Sequence, residues 1–190
     1  IDFVRTDVFY DMYVPGPENY VAEGIINHNT GSGKSRSIAA TIIDNVARGR
    51  TKAVWITEKA SALPDIRFTW ETLQGGQASD VFAPSGYGPI TRETGILFMP
   101  YSTLRGVSDD EGSRVQQILD WLGPDFDGII AMDEAHNMGN ADPEASTRGV
   151  KNASKQAQAG MSLLAALPNA RVVYASATAA ERVQNLGYAE

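Results

Sequence analysis

The chain has 190 residues, 43% of them hydrophobic and 21% charged, with a net charge of −7. That is the composition of a globular domain able to bury its own core, and it excludes a protein that coats nucleic acid by bulk positive charge. There is no cysteine, which excludes disulfides, thiolate metal sites and a cysteine nucleophile, while no apolar run reaches membrane-spanning length and the opening IDFVRTD is not a signal peptide.

In chain order, the first thirty residues carry Tyr10, Tyr13, Tyr20, Pro15 and Pro17, with strand-like runs and a turn at VPGPEN. Lys34 to Ala47 follows as a helix, with Ile38, Ile42, Ile43 and Val46 at helical spacing. Ala53 to Thr57 is a buried strand. A weaker helix covers about residues 60–73 and is interrupted at Pro64. The Gly-, Pro- and Ser-rich stretch 75–92 is a loop. Ile96–Met99 is a strand, Arg114–Leu122 a helix, Gly128–Met132 a strand, Ala153–Leu167 a helix and Val172–Ala175 a strand. Continuous apolar strands separated by helices predict an α/β fold, a parallel sheet covered on both faces. The start at Ile1 and the stop soon after a motif predict a piece of a longer protein.

Thr30-Gly31-Ser32-Gly33-Lys34-Ser35 opens the first helix. Glycines let backbone N–H groups crowd around a phosphate, and the helix N-terminus adds partial positive charge. Lys34 would reach the β- and γ-phosphates of ATP, and the Ser35 hydroxyl would ligate Mg²⁺. The full pattern is G-x-x-x-x-G-K-[ST], and its first glycine position is held here by His28. Asp133-Glu134-Ala135-His136 follows the strand GIIAM. Carboxylates at the end of a buried strand are costly unless they bind something. Asp133 is suited to holding Mg²⁺ and Glu134 to positioning or deprotonating the attacking water. Ser176-Ala177-Thr178 ends a third strand, where small hydroxyl residues can relay the state of the γ-phosphate. Each motif alone has a plain reading, as a helix start, a solvated loop or a cap; three in this order, each at a strand end, form a combined signal.

The trio resembles superfamily 2 helicases and translocases. GILFMPYSTLRG, ILDWLGPDFDGIIAMDEAHNMGN and LLAALPNARVVYASATAAERVQNLGY resemble the strawberry notch family of helicase-like ATPases, from about Gly31 to the end of the chain. The resemblance implies a RecA-like P-loop NTPase fold for residues 30–190, truncated at both ends and lacking its first strand. It implies nucleotide binding by Gly31, Gly33, Lys34 and Ser35, Mg²⁺ on Asp133, Glu134 as catalytic base, and coupling of hydrolysis to motion by His136, Ser176 and Thr178. DNA or RNA and a second RecA-like domain elsewhere in the full-length chain are the implied partners. No membrane partner is expected, and the expected location is the cytoplasm of a bacterium or a phage host.

Tyr10-Asp11-Met12-Tyr13-Val14-Pro15 and the run Asn19 to Asn29, followed by Thr30, resemble the C-terminal end of an intein. The Asn29 side-chain amide would attack its own carbonyl carbon, close a succinimide and cut the bond to Thr30. His28 would polarise that carbonyl, and the Thr30 hydroxyl would first receive the upstream segment as an ester. Asp11 matches an acidic position that inteins use to coordinate the steps. Glu18 stands where many inteins have histidine. On this reading residues 1–29 are an intein segment that needs its N-terminal portion as partner. Splicing would replace the tail ending in His28-Asn29 and restore the phosphate loop's first glycine.

Arg48, Arg50, Lys52 and Lys59 could follow a phosphate backbone, but solvated helix-end positions are the preferred reading. Trp55 and Trp121 fall in apolar patterns and are expected in the core, with Trp70 left open to base stacking. The sequence thus predicts an ATP- and Mg²⁺-dependent motor domain interrupted by an intein. A phage packaging (terminase-type) ATPase and an inactive splicing precursor are the alternatives.

Overall fold

The structure, a computed structural model, describes residues 19–22, 25–28, 33–138, 144–146, 149–151 and 154–176. The chain divides into two compact units, Ile1–Gly33 and Lys34–Glu190. In the first, strands β1 (Asn19–Ala22) and β2 (Ile25–His28) pair antiparallel, Asn19 opposite His28 and Ala22 opposite Ile25. The junction Asn29–Thr30 lies outside the described residues.

The second unit begins with α1 (Lys34–Ala47), the span its periodicity predicts. It continues through β3 (Lys52–Thr57), α2 (Leu63–Thr72), β4 (Val81–Phe82), β5 (Gly95–Pro100) and the single turn α3 (Tyr101–Leu104). A small hairpin, β6 (Val107–Ser108) and β7 (Gly112–Ser113), leads into α4 (Arg114–Leu122). Then come β8 (Ile129–Asp133), the hairpin β9 (Glu144–Ser146) and β10 (Gly149–Lys151), α5 (Lys155–Ala166) and β11 (Arg171–Ala175). Five strands form one sheet in the order β11-β8-β3-β5-β4, every pairing parallel.

Both faces of the sheet are covered, which is why its strands read as unbroken apolar runs. Ala53, Trp55, Phe98 and Ala131 face α1 and α2, meeting Ile38, Ile42, Ile66 and Trp70. Val54, Ile56, Leu97, Met99, Ile130 and Met132 face the other way, toward α3, α4 and α5. Trp70 is 2% exposed, so it belongs to this core. A large apolar side chain buried to this degree stabilises the fold by about 1.5–3 kcal/mol.

Two expectations need correction. Pro64 does not interrupt a helix. A 3-10 turn over Ala60–Ala62 precedes α2, and Pro64 sits in the first turn of α2, where a missing N–H costs no hydrogen bond. The stretch 75–92 is not all loop, because Val81 and Phe82 add an edge strand opposite Ile96 and Leu97. All four basic residues near α1 have a partner within the chain. Arg48 pairs with Asp44 at 2.8 Å, Arg50 with Asp127 at 2.7 Å, Lys52 Nζ donates to the Trp121 carbonyl at 2.6 Å, and Lys59 Nζ lies 4.0 Å from Glu58. Among the described residues, no helix is long and apolar enough to cross a membrane.

Candidate functional site

In parallel α/β sheets, ligands gather beyond the carboxyl ends of the strands. Asp133 is the last residue of β8 and pairs in register with Ala175, the last of β11. Ser176 therefore follows directly at the same edge. Lys34 is the first residue of α1, whose inner face packs on Ile129 and Ala131 of β8. Stacking α1 on β8 in this way brings two distant motifs together: Lys34 Nζ lies 2.9 Å from Glu134 Oε1. Their side chains are 20% and 24% exposed, so the pair sits in a recess that solvent reaches.

The backbone at this edge is specialised. Glu134 has φ 54°, an uncommon left-handed conformation for a residue with a side chain. It turns the chain sharply off the strand, and its N–H donates to Asp133 Oδ1 at 3.0 Å. Such a conformation costs of the order of 1–3 kcal/mol and persists where the surroundings enforce it. Gly33, just before Lys34, has φ 78° and open space where a Cβ would stand, the glycine-favouring geometry that lets a backbone approach a ligand. The first turn of α1 carries no acidic residue of its own; the acid beside it is Glu134, from the end of β8. Ser35 is half-buried on the same turn.

Burial holds the Asp133 carboxyl above its ordinary value of 3.8, and the neighbouring Glu134 charge pushes the same way. Lys34, the Glu134 N–H and, last, the Trp55 indole pull it back down in part. Trp55 Nε1 is buried and makes no hydrogen bond. Its N–H is close enough to favour the carboxylate yet short of hydrogen-bond geometry. The register explains this: Trp55 lies opposite Ala131, two residues before Asp133 and on the same face of the sheet. Sequence reasoning missed Trp55 because a continuous apolar run does not reveal which residues share a face.

A carboxyl whose folded pKa is raised destabilises the fold as pH climbs from the unfolded value through the folded one. The penalty is absent below the ordinary value of 3.8 and grows as the pH rises above it. Asp133→Asn keeps the Oδ1 acceptor for the Glu134 N–H and loses the charge. It is expected to raise the thermal midpoint by a few degrees at pH 7, a gain that fades below the ordinary value of 3.8. Thermal scans of both proteins across that range test this; an equal or lower midpoint for the variant at pH 7 contradicts it.

The structure thus brings together Lys34, Asp133 and Glu134, with Gly33 and Ser35 next to Lys34 in the chain and Ser176 following Ala175, the register partner of Asp133. His136 lies in a 3-10 turn, Ala135–Met138, and His28 ends β2; the side chains of both are outside what is described. Asp11, Asn29, Thr30, Gly31, Ser32, Ala177 and Thr178 lie outside the described residues.

The structure thus joins a lysine at the start of a helix to the acidic end of a parallel strand. Residues 18–190 match the family described as "P-loop containing NTP hydrolase pore-1". The chain belongs to that family. As a P-loop NTP hydrolase pore-1 domain it is also similar to several curated proteins. Protein strawberry notch homolog 2 of Mus musculus is 36% identical over 176 residues, covering 90% of this chain and 12% of that protein. Protein strawberry notch homolog 1 of Gallus gallus is 36% identical over 193 residues, covering 94% and 15%. Protein FORGETTER 1 of Arabidopsis thaliana is 32% identical over 171 residues, covering 86% and 13%. The chain therefore spans 12–15% of the length of these relatives. The family match begins at residue 18 and so takes in the β1–β2 hairpin.

Proposed function

We propose that residues 30–190 are the ATP-binding RecA-like domain of a superfamily 2, helicase-type motor that hydrolyses Mg²⁺·ATP. The observation that carries this reading is the 2.9 Å contact between Lys34 and Glu134. It joins the residue type that neutralises transferring phosphate to the type that accepts a proton from water. The residues also fit the cofactor. Asp133 is a hard oxygen donor, 7% exposed and electrostatically costly as it stands, which a divalent cation would relieve. Bound Mg²⁺ would neutralise phosphate charge, with Ser35 and Asp133 holding it.

Lys34 has two competing acceptors, Glu134 and a phosphate oxygen when ATP arrives. Its transfer to phosphate frees Glu134 to orient the attacking water and take its proton. Thr30, Gly31, Ser32 and Gly33 supply backbone N–H groups around the phosphates. Ser176, which follows β11, together with Ala177, Thr178 and His136, passes the loss of γ-phosphate to neighbouring elements. DNA or RNA and a second RecA-like domain complete the motor. The test is ATP turnover by the full-length spliced protein, with Mg²⁺ or EDTA and with or without single-stranded DNA and RNA. Turnover that requires Mg²⁺ and rises several-fold with one nucleic acid is expected. No Mg²⁺-dependent turnover under any of these conditions contradicts the proposal.

We propose a second reaction at the N-terminus, a reading that rests on the likeness of the run Asn19 to Asn29 and Thr30 to the C-terminal end of an intein. There the Asn29 amide nitrogen attacks its own carbonyl carbon, and the succinimide that forms releases the Thr30 amine. His28 polarises the carbonyl, Asp11 coordinates the steps, and Thr30 then serves the phosphate loop. Intact-mass measurement on the product of the complete reading frame tests this. A product lacking the intein mass, absent in Asn29→Ala, is expected; an unspliced product from the natural sequence contradicts it.

A further inference from the structure

Away from the Lys34–Glu134 recess, the loop 83–92 and the start of α4 enclose a cavity of about 490 Å³. Arg114, the first residue of α4, lines it and is only 2% exposed. A guanidinium buried this far normally faces a carboxylate. Arg114 does not: among the described residues it enters no ion pair. Its Nη2 donates to the Gly86 carbonyl, its planar head lies over the Tyr87 ring, 4.8 Å from the centroid, and its Nε is buried with no acceptor.

The unused prong is the informative one. Nε and Nη2 form one edge of the guanidinium fork, and that edge matches two oxygens of a phosphate or carboxylate. Here a single backbone carbonyl occupies one prong and leaves the other empty. The carbonyl belongs to Gly86, which has φ 94° and nothing within 4 Å of where a Cβ would be, so no side chain at that position blocks a ligand's approach. A second cation, Arg92, lines the same cavity, its guanidinium 4.7 Å from the Phe82 ring centroid and its Nη1 donating to the Ser79 carbonyl. The one acid on the wall, Glu111, pairs with neither arginine. The local balance is therefore two cations to one anion in an otherwise acidic protein. Desolvation, the main influence on Arg114, works against its charge, so an anion in the cavity would relieve it.

We propose that this cavity is an oxyanion site for a phosphate ester, which displaces the Gly86 carbonyl and takes both prongs of the Arg114 fork. Tyr87 is 45% exposed, and the exposed part of its ring offers an attached base an aromatic surface. The volume suits a nucleotide-sized group. The ester comes either from a free nucleotide or from the backbone of a nucleic-acid strand. The site is independent of the phosphate loop and does not rest on the ATPase reading.

The test is amide-resolved NMR of the full chain titrated in turn with inorganic phosphate, thymidine monophosphate and a single-stranded oligothymidylate. This reads Gly86, Tyr87 and Arg114 separately from Lys34 and Ser35. Shifts at Gly86 and Arg114 are expected with all three ligands. Arg114→Lys, which keeps the charge and loses the fork, is expected to weaken them at least tenfold while leaving the Lys34 and Ser35 responses unchanged. An oligonucleotide bound tenfold or more tightly than the mononucleotide identifies a strand as the source; equal affinities identify a free ester. Glu111→Gln, which removes the one acid from the wall, is expected to tighten phosphate binding several-fold and serves as the test if Arg114→Lys fails to fold. Shifts confined to the phosphate loop, undiminished binding by Arg114→Lys, or no gain from Glu111→Gln would overturn the proposal.

Discussion

Glu134→Gln is expected to cut ATP turnover by about 10²–10⁴-fold, the usual contribution of a positioned general base, while Mg²⁺·ATP still binds. The amide matches the carboxylate in size and cannot accept the water's proton. It also no longer holds Lys34 as an ion pair, so ATP binding should be equal or somewhat tighter. The fold should survive the change. A pair whose members are 20% and 24% exposed is partly screened by solvent and adds little to stability. Single-turnover hydrolysis alongside equilibrium ATP binding separates the two effects. Turnover at the natural rate would remove Glu134 from the role of base; loss of binding together with turnover would make it structural.

Lys34→Ala should show the opposite pattern, losing affinity before chemistry. A charge-assisted hydrogen bond contributes about 1.5–3 kcal/mol, equivalent to roughly 10- to 150-fold in binding. An Mg²⁺·ATP dissociation constant weakened by that factor, with a thermal midpoint within a degree or two of the natural protein, is the expected pair of results. The small stability change follows because Lys34 occupies the first position of α1, and the buried anchors of that helix are Ile38, Ala39 and Ile42. Calorimetric titration with a non-hydrolysable ATP analogue measures the first quantity. Unchanged affinity would mean that Lys34 does not meet phosphate.

Much of this is legible in the sequence, for identifiable reasons. The helices Lys34–Ala47 and Arg114–Leu122 agree with the expected spans because one face of each is apolar at helical spacing. The strands Lys52–Thr57, Gly95–Pro100 and Ile129–Asp133 are legible because burial on both faces demands unbroken apolar runs. The two residues of β4 are not legible: Val81 and Phe82 are too few to show a period, and their strand exists only by pairing with β5. The motifs Thr30 to Ser35 and Asp133 to His136 stand out because the chemistry proposed for them admits few residue types. That Lys34 would bond Glu134 directly is not readable from either motif. It depends on α1 lying across β8 and on the left-handed turn at Glu134. Trp55 and the Arg114 cavity are tertiary facts of the same kind. One is hidden in an apolar run and the other behind a Gly- and Pro-rich loop whose composition says only that it turns.

If Lys34, Ser35, Asp133 and Glu134 form one site for Mg²⁺·ATP, a crystal structure of Glu134→Gln bound to Mg²⁺·ATP will show it directly. Lys34 Nζ is expected on a phosphate oxygen, away from residue 134, with Mg²⁺ between Ser35 and Asp133 and a water between the substituted amide at position 134 and the γ-phosphate. Nucleotide bound elsewhere, or Lys34 still turned toward residue 134 with ATP present, would contradict it.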